Sequence, residues 1–149
     1  MTLDTVVVAI GDHDDEQIAS IAATAIDVAA PAGATVRLLH VFSEERYEAV
    51  KRQLEFDPDA AVSPDTVAKR HATIRNVGTI LDEAGVEYAW HGAVGDTSEE
   101  VLAMADSVDA DMLIVGGRGR SPAGKAVFGS TAQEILLNAD CPVTYIREP

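Results

Sequence analysis

Apolar positions along this chain switch repeatedly between continuous runs and helical spacing. Val6-Val7-Val8-Ala9-Ile10 is an unbroken apolar run, which predicts a strand buried on both faces. Ile18, Ile21, Ala22, Ala25 and Val28 then recur three and four residues apart, predicting a helix that Pro31 and Gly33 end. Val36 to Phe42 reads as the second strand, mostly apolar but carrying Arg37 and His40. Ser43 to Leu54 is charged, with Tyr47, Val50 and Leu54 at helical spacing, and Phe56-Asp57-Pro58-Asp59 breaks it. A connection as long as 43–62 reads equally as a solvated helical insertion or as a lid.

Ser63-Pro64 offers an N-cap residue before a first-turn proline. Val67, His71, Ile74, Gly78 and Leu81 share one stripe, predicting a single second helix that Gly85 stops. Val86 to His91 alternates, so it reads as a strand with one wetter face. Asp96-Thr97-Ser98-Glu99-Glu100 holds overlapping capping boxes for a third helix with Val101, Leu102, Ala105 and Val108 inward. Met112 to Val115 is again continuous. Ser130 with Gln133, or Thr131 with Glu134, caps a fourth helix through Ala139. Val143-Thr144-Tyr145-Ile146 is the last strand, with Pro142 in the place a strand tolerates it.

This alternation predicts one α/β, Rossmann-like domain over residues 1–149, a parallel sheet with helices on both faces. The continuous runs 6–10 and 112–115 suit central strands; 86–91 and 143–146 suit edges. The order 3-2-1-4-5 satisfies both. It puts the topological switch between strands 1 and 4, where open α/β sheets bind ligands beyond the strand C-termini. The loops flanking that crevice are 11–15 and 116–130.

The second of these loops carries the most distinctive chemistry. Residues 116 to 130 hold five glycines, three bases and no acid. Glycines admit a ligand close to main-chain N–H groups, and a helix start offers free donors to an anion. Gly116 allows a sharp turn off the strand, and Gly119 admits a phosphate. Gly129 and Ser130 would bring the next helix's N–H groups and a hydroxyl to the same spot. Arg118 and Thr131 are further phosphate partners. No acid occurs from Met112 to Gln133. Thr66 to Leu81 is acid-free as well, with Lys69, Arg70 and Arg75, so basicity alone does not single out the loop. Gly119 to Ala126 comes near a P-loop, but Ala126 stands where a Mg²⁺-binding hydroxyl is needed, and the segment follows the fourth strand.

Charge narrows the remaining possibilities. The net charge is −14, with 25 acids against 11 bases, and only Lys51, Lys69 and Lys125 are lysines. That balance opposes nucleic acid and anionic membranes as partners. The acids run from Asp4 to Glu148 rather than forming a tail, which favours adaptation to high salt over a single acidic docking face. No apolar run approaches the roughly 20 residues of a membrane span. Met1-Thr2-Leu3-Asp4 has no basic stretch of a secretory signal, so a cytoplasmic location is expected. Cys141 is the sole cysteine and sits before Pro142, expected buried and inert. His13, His40, His71 and His91 have no metal-ligand spacing. His71 reads as packed on the inner stripe, while His40 faces either the crevice or the core. Tyr88 and Trp90, on one strand face with Val86, read as core.

The form Gly116-x-x-Gly119, nine residues, then Gly129-Ser130 resembles the nucleotide-binding signature of the universal stress protein family, ATP-binding type. Leu39-His40-Val41, Gly95 before the third helix, the closing Cys-Pro-Val strand, and five strands with four helices extend the resemblance over nearly the whole chain. The resemblance implies that ATP or a related adenine nucleotide binds between strands 1 and 4. It implies that Val41 contacts the base through its backbone and that an acid after strand 1 holds the adenosine. In the family that acid directly ends strand 1; here Gly11 intervenes and Asp12 is displaced by one position. Three readings of Asp12 stay open: contact with the ribose or an adenine edge, a Mg²⁺ site with Asp14 and Asp15 beside a triphosphate, or a solvated helix start. The resemblance also implies a homodimer through strand 143–146, whose apolar edge invites a partner. No residue set is suited to activating an attacking water, so a binding protein with at most slow hydrolysis is expected rather than an enzyme. The alternatives are an interaction protein of the same fold acting through its acidic surface or residues 43–62, and a small α/β enzyme, such as a nucleotide-dependent transferase missing its partner domain.

Overall fold

A computed structural model describes residues 2–11, 15–53, 63–116 and 129–147. Its strands are β1 (Thr5–Ala9), β2 (Thr35–Phe42), β3 (Tyr88–Val94), β4 (Met112–Gly116) and β5 (Val143–Ile146). Its helices are α1 (Asp15–Ala32), α2 (Glu44–Gln53), α3 (Pro64–Lys69), α4 (Ala72–Glu83), α5 (Thr97–Ser107) and α6 (Ser130–Asn138). All strand pairings are parallel and the order is β3-β2-β1-β4-β5. The fold class and strand order therefore stand as the apolar pattern predicts.

The reason lies in burial. Val6, Val7 and Val8 of β1 and Leu113 and Ile114 of β4 are wholly buried, as a strand covered on both faces must be. Alternate residues feed two cores. Val6, Val8, Val36, Leu38 and Ile114 pack with Ile21, Ala22 and Ala25 of α1 and with Ile74, Val77 and Leu81 of α4. Val7, Leu39, Leu113 and Val115 pack with Val101 of α5 and Ile135 of α6. Tyr88 and Trp90 join the first core at its margin, as expected.

Several boundaries correct the sequence reading. Helix α1 runs through Pro31 and stops at Ala32. Gly33, at φ +67°, closes it: Ala34 N–H reaches back to Ala29 C=O and Gly33 N–H to Ala30 C=O, a Schellman cap. The predicted single helix from Ser63 to Leu81 is two. It breaks at Arg70-His71, and His71 is the N-cap of α4 rather than an inner-stripe residue. With α2 added, the described residues hold six helices where four were expected. Strand β3 continues past His91 to Val94. Gly92 permits this, because a Cβ there would stand 2.1 Å from the Pro64 carbonyl oxygen. Helix α3 thus lies against the β3 edge, and Gly92 N–H donates to Asp65 Oδ1 at 2.8 Å. At the other edge, β5 is half-buried, and Leu137 of α6 is 74% exposed.

Candidate functional site

The chain leaves β1 and β4 in opposite directions. From β1 it enters α1, in the first core; after β4 the next described helix, α6, lies in the second. The two strands are neighbours, paired from Val6↔Met112 to Ala9↔Val115. In open α/β sheets such divergence marks the place of a ligand crevice, above both C-termini. Gly116 ends β4 beside that crevice, paired with Ile146. Helix α6 begins close by in sequence at Gly129, its N-cap, in extended conformation. The predicted capping boxes do not form. Ser130 is the first helical residue, not the cap, and among the described residues no side chain caps the helix. Glu134 is engaged elsewhere: the buried Ser98 hydroxyl lies between Glu134 and Asp96, linking α5 to α6. Among the described residues no acceptor meets the N–H groups of Ser130, Thr131 and Ala132. Gly129, Ser130 and Thr131 are exposed, and a Cβ built on Gly129 meets no neighbour.

Across the crevice, Val41 lies near the end of β2, half-buried against the second core and in register with Ala93. His40, its neighbour, is only 6% exposed. Its Nδ1–H donates to the Ile10 carbonyl at 2.7 Å. Its ring stacks on His71, centroids 4.1 Å apart, and meets Phe42 edge-on at 4.5 Å. His40 therefore belongs to the wall just under the β1 exit, a placement that the apolar run alone left open. Among the site residues predicted from sequence, Gly116, Gly129, Ser130, Thr131 and Val41 border the strand C-terminal end. Asp12, Arg118 and Gly119 lie outside the described residues, as do Asp14 and the break at 56–59, and the side chain of Asp15.

The opposite end of the sheet is chemically different. Asp111 Oδ2 accepts the main-chain N–H groups of Asp4 and Thr5 at 2.9 and 3.0 Å. Those bonds hold its carboxyl below the ordinary aspartate value. A cavity of about 290 Å³ sits at the β4 and β5 entrances, lined among others by Asp106, Asp109, Asp140 and Cys141. The Cys141 thiol is half-buried rather than buried; desolvation, then Asp106, Asp111 and Asp140, push its pKa up, so it is a poor nucleophile. On β3, burial and the Arg37 guanidinium, 3.2 Å away, lower the His91 pKa against the pull of Asp65. Among the described residues no cluster of three or more His, Cys, Asp or Glu side chains could hold a metal ion, and no helix is long and apolar enough to cross a membrane.

Comparison with known proteins places this geometry. The model of the Universal stress protein family matches residues 2–147. A universal stress protein of Mycolicibacterium smegmatis is 38% identical over 79 residues, 52% of this chain, and the chain spans 61% of that relative's length. The structure of a universal stress protein from Archaeoglobus fulgidus superposes with TM-score 0.71 at 25% identity, covering 95% of this chain and 97% of that one. The universal stress protein from Archaeoglobus fulgidus in complex with dAMP gives TM-score 0.68 at 22% identity, covering 97% and 98%.

Proposed function

Because the chain belongs to the universal stress protein family, we propose that it binds an adenine nucleotide, ATP foremost, in the crevice between β1 and β4. One observation carries this reading: a helix start with no side-chain cap among the described residues and a glycine-ended strand lie at the C-terminal end of the sheet, joined by a sequence without acids in a chain of net charge −14. An anion is held there by main-chain donors rather than by lysines. Gly116, Gly119, Gly129 and Ser130 cradle the phosphates, with Arg118 and Thr131 beside them. Val41 meets the base through its backbone, and Asp12 meets the ribose. The dAMP complex of a structure with the same fold supports the choice of an adenine nucleotide. Mg²⁺ would enter with the triphosphate, bound by phosphate oxygens.

The protein works as a cytoplasmic nucleotide-responsive binder rather than as an enzyme, and its acidic surface suits high salt. Two copies pair through β5, whose outer edge has no partner strand among the described residues. The β3 edge is unsuited to pairing, since Asp65 and α3 already occupy it.

Calorimetric titration with ATP, AMP and GTP, with and without Mg²⁺, tests the proposal. Adenine nucleotides bind and GTP binds at least tenfold more weakly. Gly119→Val abolishes binding while leaving the melting transition in place. Normal binding by that variant removes the cradle. Sedimentation in high salt gives a dimer mass; a monomer removes the β5 pairing.

A further inference from the structure

The β1–β2 ladder stops one rung early, and a side chain accounts for the stop. The last paired residues are Ala9↔Leu39, and Ile10 N–H donates to Leu39 C=O at 2.7 Å. In a regular parallel ladder the next bond runs from Val41 N–H to Ile10 C=O. That bond is absent among the described residues. The Ile10 carbonyl instead accepts His40 Nδ1–H, at 2.7 Å. Successive residues of a strand turn their main-chain groups to opposite neighbours. Since Leu39 turns toward β1, Val41 does too, and among the described residues neither its N–H nor its C=O meets a main-chain partner on that side. A ring packed edge-on to Phe42 and stacked on His71 cannot swing away readily.

We infer that His40 is a positioning residue: by occupying the Ile10 carbonyl it ends the β1–β2 ladder and holds the Val41 main chain open toward the crevice, where it can read the edge of a base. A donor and an acceptor on one residue match the ring nitrogen and exocyclic amino group on the adenine edge; guanine presents the reverse pattern there. This inference rests on the adenine-nucleotide reading for its consequence, but not for its geometry.

Two variants separate the hydrogen bond from the ring. His40→Asn keeps an N–H donor close to the place of Nδ1 and loses the stacking. His40→Phe keeps a ring against His71 and loses the donor. The first readout is amide hydrogen exchange at Val41 in the free protein. In His40→Phe the Ile10 carbonyl is released, Val41 N–H closes the ladder, and its exchange slows at least tenfold; in His40→Asn it stays within threefold of the parent. The second readout is the Kd for AMP. It rises about tenfold in His40→Phe, as for one lost hydrogen bond, and stays within threefold in His40→Asn. His40→Leu replaces His40→Phe should the latter not fold. Unchanged Val41 exchange in the variant lacking the donor overturns the inference, as does an Asn variant as impaired as Phe. If the parent protein binds no AMP while Val41 exchange still slows in His40→Phe, the ladder role stands and the nucleotide reading alone falls.

Discussion

The two ends of β4 handle main-chain N–H groups in opposite ways. At its entrance, carboxylates of the chain answer them: Asp111 takes the N–H groups of Asp4 and Thr5, tying the starts of β1 and β4 together. Asp106, Asp109 and Asp140 line the cavity beside it. At its exit, no acid occurs from Met112 to Gln133, and among the described residues no side chain caps the first turn of α6. Both ends belong to one five-residue strand, so the contrast is local and does not follow from overall charge. It teaches that an acidic protein can keep one end of its sheet suited to an anion by withholding internal carboxylates there. On the proposed function, an external anion would meet repulsion at one end and main-chain donors at the other.

The largest expected effect comes from making the exit resemble the entrance. Gly129→Asp places a carboxylate at the N-cap of α6, where the backbone is extended and the Cβ has room. It supplies the cap that α6 lacks, stabilising the fold by a few tenths of a kcal/mol, about what Asp gains over Gly at such a position. It also fills the anion position, and ATP affinity drops about a hundredfold, on the order of two charge-assisted hydrogen bonds. Thermal melting and calorimetry on one sample read the two opposite signs. Should binding and stability fall together, the donors of α6 are not the anion site.

The reverse change at the entrance affects stability and leaves binding alone. Asp111→Ala removes the acceptor for two main-chain donors, lowering Tm by about 4 °C with ATP affinity within twofold. Acidification gives the same result in the parent. The native Asp111 pKa lies below its ordinary 3.8, so its stabilisation is fully present above that value. It is lost as pH falls through the lower native one. The melting temperature of Asp111→Ala therefore converges with the parent's in strong acid. A constant gap down to pH 2 contradicts the assignment.

The smallest effect concerns the cap just before the entrance. Asp109 has φ +50°, and Ala110 N–H reaches Ala105 C=O, the same closure that Gly33 and Gly85 make at positive φ. Asp109→Gly relieves a left-handed aspartate and raises stability by about 0.5 kcal/mol. Chemical denaturation reads it, and a loss of stability would show that the Asp109 carboxylate has a structural partner.

Legibility from sequence divides along similar lines. The centre of the sheet was readable because burial on both faces leaves an unbroken apolar run, as in Val6-Val7-Val8 and Leu113-Ile114-Val115. Strand order followed from that texture. Local boundaries were less readable where tertiary contacts overrode a periodic signal. The apolar stripe continues through His71, yet α3 must lie on the β3 edge and α4 on α1, so the helix breaks at Arg70. Gly92 looks like a strand terminator until the Pro64 carbonyl above it shows why no side chain fits. Ser130 and Thr131 carry the cap signature, but Glu134 is taken by Ser98, and Gly129 ends up as the cap. The glycine spacing pointed to the β4 exit. The part played by His40 was hidden, because a histidine within an apolar run does not reveal which carbonyl it will meet.

The central claim is that an adenine nucleotide settles at the exit end of β4 and ignores the entrance. Amide-resolved NMR titration of the ¹⁵N-labelled protein with ATP tests this most directly. The account predicts saturable shifts at Val41, Gly116 and Ser130–Thr131, with Asp106–Asp111 and Cys141 unmoved. Shifts concentrated at Asp106–Asp111, or none anywhere at millimolar ATP, would contradict it.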